Sequence, residues 1–133
     1  TRLKMGYRTS VLQHQTGVLI RAVFRLSSGN RQEIQAKMED ILGRRKAKQP
    51  LEYPSAGSTF KRPQGAYAAA LIEECGLKGQ RVGGAMVSPK HSGFLINYDH
   101  ATCKDVEELI ALVQKTVQMQ TGFTLECEVK KID

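Results

Sequence analysis

The sequence predicts an α+β domain, with a small, largely antiparallel sheet packed with about three helices. Three observations carry this. Apolar residues recur at helical spacing in two stretches, short segments alternate at strand period, and glycine and proline punctuate the chain between them. At 133 residues the chain has the length of one ordinary domain. Its hydrophobic share of 41% and charged share of 25% match globular proteins.

The elements follow in order. Tyr7 to Leu12 reads as a helical turn or loop. Gly17–Leu26 reads as a strand, since Val18, Ile20, Ala22, Phe24 and Leu26 alternate with Leu19, Arg21, Val23 and Arg25. A helix is expected from Arg31 to Lys46, with Ile34, Met38, Ile41 and Leu42 on one face. Asn30 and Glu33 stand in capping-box positions, and Arg44, Arg45 and Lys46 suit its negative end. Residues 47–65 read as a long loop, and such loops are usually functional or disordered. A second helix is expected from Gly65 to Cys75, closed by Gly76. Val82–Val87 reads as a glycine-weakened strand, and Phe94–Asn97 as another. A third helix spans Cys103 to Gln120, with Thr102 and Asp105 at capping positions and Gly122 beyond its end. A last strand, Thr124–Ile132, alternates Leu125, Cys127 and Val129 with Glu126, Glu128 and Lys130.

The net charge of +7 points to an anionic partner: nucleic acid, a membrane surface or a phosphorylated small molecule. Few aromatics and no Trp leave little for stacking single-stranded nucleic acid. No apolar run approaches the length of a membrane span, and no signal peptide is visible. Cys75, Cys103 and Cys127 are odd in number and lack C-x-x-C spacing, which predicts reduced thiols in a cytoplasmic protein rather than disulfides or zinc. His14, His91 and His100 form no ligand pattern, so no metal is expected. Thr1-Arg2-Leu3-Lys4 opens without an initiator Met, as in a piece of a longer protein.

The most informative stretch is Pro54-Ser55-Ala56-Gly57-Ser58-Thr59-Phe60-Lys61-Arg62-Pro63. Gly57 allows close backbone approach, and Lys61 and Arg62 add positive charge. The spacing is not that of a phosphate-binding G-x-x-x-x-G-K-[ST] loop. Ser58 could be a nucleophile, which needs an adjacent base, or a proton donor, with Lys61 as the neighbour that makes it more acidic. The G-x-S-x-G elbow of hydrolases is absent. Glu126 and Glu128 share one face of the last strand, where either could serve proton transfer or electrostatic stabilisation. Arg8 could face a reacting carboxylate. Gly83-Gly84-Ala85 lacks the dinucleotide-binding order.

Taken together, these blocks resemble one family. Tyr7-Arg8-Thr9-Ser10, Lys48-Gln49-Pro50-Leu51 and the serine stretch come first. Leu71–Gly79, Gly83–Ser88, His91–Asn97 and Leu125–Val129 follow in the same order. The chain is similar to the carboxy-terminal part of UDP-N-acetylenolpyruvoylglucosamine reductases, in their shorter subtype. The resemblance implies a flavoenzyme with FAD in an amino-terminal domain and NADPH as reductant. It implies reduction of UDP-N-acetylglucosamine enolpyruvate to UDP-N-acetylmuramate for peptidoglycan synthesis. By that resemblance Ser58 is the proton donor, and Arg8 and Glu128 stabilise the intermediate. Lys48, Lys61, Arg62 and Tyr7 line the substrate site, Arg62 replacing an Asn found in some members. Residues 1–27 would be the tail of the flavin-binding domain, and 28–133 the substrate-binding domain. The fragment alone is expected to be inactive, monomeric and cytoplasmic, with no nucleic-acid or membrane partner. A small basic nucleic-acid-binding module explains the charge but not the serine stretch.

Overall fold

The computed structural model describes residues 3–14 and 16–132, so Thr1, Arg2, Gln15 and Asp133 lie outside it. The chain divides into two compact units, one ending at Ile34 and one beginning at Gln35.

In the first unit, Gly6 and Thr9 close a tight turn through Gly6 N–H to Thr9 O (2.9 Å). A single turn of 3-10 helix, Val11–Gln13, follows, with Ser10 Oγ accepting from Leu12 N–H. The expected strand Gly17–Leu26 does not form. Val18, Ile20, Phe24 and Leu26 are 80–94% exposed. A strand exists only through a neighbour that takes its backbone hydrogen bonds, and none pairs with it among the described residues.

Helix α1 spans Arg31–Lys48, two residues longer than expected. Asn30 caps it, its Oδ1 accepting from Gln32 N–H (2.8 Å) and Glu33 N–H (3.3 Å). Arg45 Nε donating to Gln49 Oε1 extends the end that Pro50 then stops. None of its residues is buried, and Ile34, Met38, Ile41 and Leu42 stay 47–65% exposed.

The second unit holds a four-stranded sheet in the order β1-β4-β3-β2, antiparallel throughout. Its strands are β1 (Ser55–Ser58), β2 (Arg81–Val82), β3 (Ala85–Val87) and β4 (Phe94–Asn97). The α+β expectation holds, with corrections in detail. The loop 47–65 contains β1. The strand expected at Val82–Val87 is a hairpin, because Gly83 (φ 51°) turns the chain back and pairs Val82 with Ala85. Helix α2 is shorter than expected, Ala68–Glu74, and Gly76 follows in the left-handed conformation. The terminal strand shrinks to one bridge, Cys127 with Phe60. Its partner segment soon reaches Pro63, which has no N–H to give.

The main core lies between one sheet face and helices α2 and α3 (Cys103–Thr121). It joins Ala85, Val87 and Leu95 to Leu71, Ile72, Leu109, Val113 and Val117. Each fully buried aliphatic side chain contributes roughly 1.5–3 kcal/mol. The apolar stripe that predicts α3, Val106, Leu109, Ile110, Val113 and Val117, is the face that packs. Met86, Phe94 and Ile96 form a second, smaller cluster.

The predicted capping box opens α3: Thr102 Oγ1 accepts from Asp105 N–H (3.1 Å), and Asp105 Oδ2 accepts from Thr102 N–H (2.9 Å). Asp105 Oδ2 also accepts from Gly84 N–H (3.4 Å), which ties the β2–β3 turn to the helix. These bonds, the Thr102 backbone first, hold the Asp105 carboxyl below its ordinary value. A depressed carboxyl stabilises the fold above its unfolded pKa, and that contribution is lost as pH falls through the folded one. Asp105→Asn should therefore flatten the acid limb of a urea-midpoint-versus-pH profile. A profile parallel to wild type below the ordinary aspartate range would contradict this.

Candidate active site

Ser58 ends β1 opposite Phe94 of β4. The register slips between Ser55 and Ser58, and Gly57 within that slip has φ 85°. A Cβ at Gly57 would meet nothing within 4 Å, so its conformation, not crowding, requires glycine. Such a bulge re-aims the next side chain. Ser58 is exposed, and its Oγ makes only a long bond, 3.4 Å, donating to Phe60 O.

Thr59, by contrast, is 3% exposed and bonded on every side. Its N–H donates to Gly93 O (2.9 Å), and its Oγ1 accepts from Leu95 N–H (3.2 Å). Its carbonyl accepts from Glu128 N–H (2.8 Å). The residue next to Ser58 is thus hydrogen-bonded to the backbone of Glu128, which is half-buried. One residue further, Lys61 N–H donates to Glu126 O (2.8 Å), and Lys61 Nζ forms an ion pair with Glu126 Oε1. The structure therefore sets residues 59–61, which follow Ser58 directly, against residues 126–128. Glu126 is exposed and Glu128 is half-buried.

Arg62 lies with its guanidinium 3.9 Å from the centre of the Tyr67 ring. Tyr67 is 61% exposed and was not singled out in the sequence. Its only signal there is an aromatic residue five positions after a cation, a weak one. The two cations do not lie directly before a helix, since α2 begins only at Ala68. Lys48 is exposed at the last residue of α1. Tyr7 and Arg8 belong to the first unit and are described there. Arg8 has φ 54° in the Gly6–Thr9 turn, its guanidinium is 5.8 Å from the Tyr7 ring, and its carbonyl accepts from Gln13 Nε2 (2.8 Å). A non-glycine residue held in that conformation is strained, and such residues cluster at functional sites.

An open, mainly apolar groove of about 390 Å³ runs along β1 toward α3, lined by Ser55, Thr59, Leu95, Val106, Ile110 and Val129, among others. Neither Ser58 nor Glu128 lines it. His91 has a structural role: its Nδ1 accepts from Gly93 N–H (3.2 Å), and its ring meets Phe94 edge-on at 5.0 Å. Among the described residues, no three His, Cys, Asp or Glu groups are placed to hold a metal. Among the described residues, no helix is long and apolar enough to cross a membrane.

The glycine doublet does not fit a dinucleotide. A Cβ on Gly84 would fall 1.9 Å from Asp99 O, so backbone already fills the space a phosphate would need. The residues of this chain provide no cradle there for the flavin pyrophosphate.

A serine and a glutamate thus stand on adjoining extended segments, with Lys61 and Arg62 next in the chain. The family model for the carboxy-terminal domain of UDP-N-acetylenolpyruvoylglucosamine reductase matches residues 49–132. The chain belongs to that family. It is 54% identical over 128 residues to the UDP-N-acetylenolpyruvoylglucosamine reductase of Caldanaerobacter subterraneus subsp. tengcongensis, covering 96% of this chain and 42% of that protein. It is 49% identical over 130 residues to the reductase of Staphylococcus aureus strain JH9, covering 98% of this chain and 42% of that one. The crystal structure of the reductase from Thermus caldophilus matches with a TM-score of 0.76 at 38% identity, over 96% of this chain and 45% of that chain. The chain thus spans less than half the length of these relatives.

Proposed function

We propose that this chain is the substrate-binding portion of an NADPH-dependent flavoenzyme that reduces UDP-N-acetylglucosamine enolpyruvate to UDP-N-acetylmuramate in peptidoglycan synthesis. The observation that carries the proposal is the hydrogen bond from Glu128 N–H to Thr59 O, which sets the Glu128 segment beside the exposed Ser58. FAD, held by an amino-terminal part outside this chain and reduced by NADPH, supplies the hydride to the enolpyruvyl double bond. Ser58 Oγ gives its proton to the substrate carbon that carries the resulting negative charge, and takes one back from solvent. Arg8 offers guanidinium donors to that charge as it delocalises into the substrate carboxylate, and Glu128, by the family resemblance, is its hydrogen-bonding partner at the same group. Of the two glutamates, the family resemblance gives this role to Glu128, the second one.

The diphosphate needs cations that stay accessible. Lys48 is exposed, and Arg62, stacked on Tyr67, offers a planar donor edge. Lys61 contributes by exchanging its Glu126 partner for a phosphate oxygen, and Tyr7, which neighbours Arg8, completes the substrate-binding set that the resemblance implies. The net charge of +7 favours the approach of such a substrate. In this reading the protein works in the cytoplasm as a monomer, and the present chain alone does not turn over.

The test joins this chain to an amino-terminal flavin-binding part and follows NADPH oxidation anaerobically. Addition of the enolpyruvyl UDP-sugar should start multiple turnovers. Flavin that is reduced by NADPH yet not reoxidised by the sugar would defeat the proposal.

A further inference from the structure

The segment between α1 and β1 was expected to be a long loop, but the structure pins it at four successive points. Pro50 is buried. Glu52 receives Lys90 Nζ at 3.3 Å on both carboxylate oxygens. Tyr53 packs on Tyr98 with ring centroids 5.6 Å apart. Pro54 O accepts from Asn97 N–H (2.8 Å). Tyr98 is central to this arrangement. It follows β4 directly, and its other neighbour is the Arg81 guanidinium, 4.1 Å from its ring centre. Arg81 lies on β2 and donates from Nε to Met86 Sδ (3.2 Å), in the smaller apolar cluster. A ladder Tyr53–Tyr98–Arg81 thus runs from the entry of β1 to β2, at opposite edges of the sheet.

Lys48 and Ser58 stand at the two ends of the pinned segment and its strand. Residues 49–54, which link Lys48 to β1, are held by these contacts. We infer that Tyr98, through Tyr53, is a positioning residue that fixes the strap 49–54 and so sets Lys48 against Ser58 for one substrate. This rests on the functional reading above. Tyr98 touches neither of those residues in the contacts described and has no hydroxyl bond in this ladder; the ring faces do the work. Stacked and edge-tilted rings and guanidinium faces favour one geometry over others.

The experiment uses the longer protein, with this chain joined to its flavin-binding part. Because a displaced binding group is costly, Tyr98→Ala should raise KM for the enolpyruvyl UDP-sugar about tenfold. Flavin reduction by NADPH should stay within about twofold, since that half-reaction does not use the strap. Tyr98→Phe should keep the wild-type KM. Hydrogen exchange on the same proteins reads the strap directly. The Leu51 and Tyr53 amides, which donate to Gln49 O and Pro50 O, should exchange faster in the alanine variant only, with α3 amides unchanged. An unchanged KM in Tyr98→Ala overturns the inference. So does a rise accompanied by equal acceleration throughout α3, or a phenylalanine variant as impaired as alanine. If the wild-type protein fails to use the sugar at all, the functional reading falls, while the exchange data still decide whether the strap is pinned through Tyr98.

Discussion

Ser58→Ala, in the longer protein, should lower the rate of flavin reoxidation by the enolpyruvyl sugar by about 10²–10⁴-fold, the usual worth of a positioned proton donor. Flavin reduction by NADPH should remain within about twofold of wild type, because the serine takes no part in it. The split between half-reactions is the informative outcome. Stopped-flow absorbance of the flavin reads both. The variant should fold normally, since Ser58 is exposed and loses only one 3.4 Å bond to Phe60 O. Surface changes of this kind usually stay within about 0.5 kcal/mol. If reoxidation keeps the wild-type rate, another group donates the proton.

Gly84→Ala should have the largest effect on stability. Its Cβ would lie 1.9 Å from Asp99 O, 2.6 Å from Ala101 N and 2.8 Å from Ala101 Cα. All three are backbone atoms, so no side chain can swing aside. Gly84 O also accepts from Tyr98 N–H (3.0 Å) and Asp99 N–H (3.1 Å). Any shift that admits the methyl would pull on these bonds and on the capping box of α3 next to them. Overpacking costs typically about 1–3 kcal/mol, and an immovable neighbour puts this site at the upper end or beyond. At about 4 °C per kcal/mol for this size, Tm should fall by about 10 °C or more. A fall of less than about 2 °C in thermal unfolding, half a kcal/mol on that scale, would show that the turn relaxes freely.

Much of this architecture is legible in the sequence, and the reasons differ by element. Helix α3 is predicted almost to the residue, because stripe, capping box and closing glycine all agree. Asn30 marks the start of α1 for the same reason. Its stripe, however, says only that a face is apolar, not that anything covers it, and Ile34, Met38, Ile41 and Leu42 remain exposed. Gly17–Leu26 shows the limit more sharply. Alternation and β-branched residues announce a strand, but pairing is a property of two segments. The glycine doublet hides the reverse error, for a tight hairpin reads as one weak strand when its turn is only two residues long.

The candidate site is suggested by residue type and order rather than by shape. Ser58 and Glu128 stand 70 positions apart in the sequence, and no periodicity joins them. What joins them is the register of two short segments, set by Thr59 and Lys61, which composition cannot reveal. The Lys61–Glu126 ion pair and the stacking of Arg62 on Tyr67 are likewise products of the fold. So is the strap, since Tyr53, Tyr98 and Arg81 come from three separate parts of the chain.

Burial along the serine strand and its neighbour has an evolutionary consequence. Thr59, Phe60 and Leu125 are buried and carry the packing, whereas Ser58, Arg62 and Glu126 face outward and Lys61 and Glu128 are half-buried. Structural and chemical duties fall on different residues of the same short segments. Substitutions at the outward-facing positions should therefore cost the fold little, while the scaffold beneath them stays as it is.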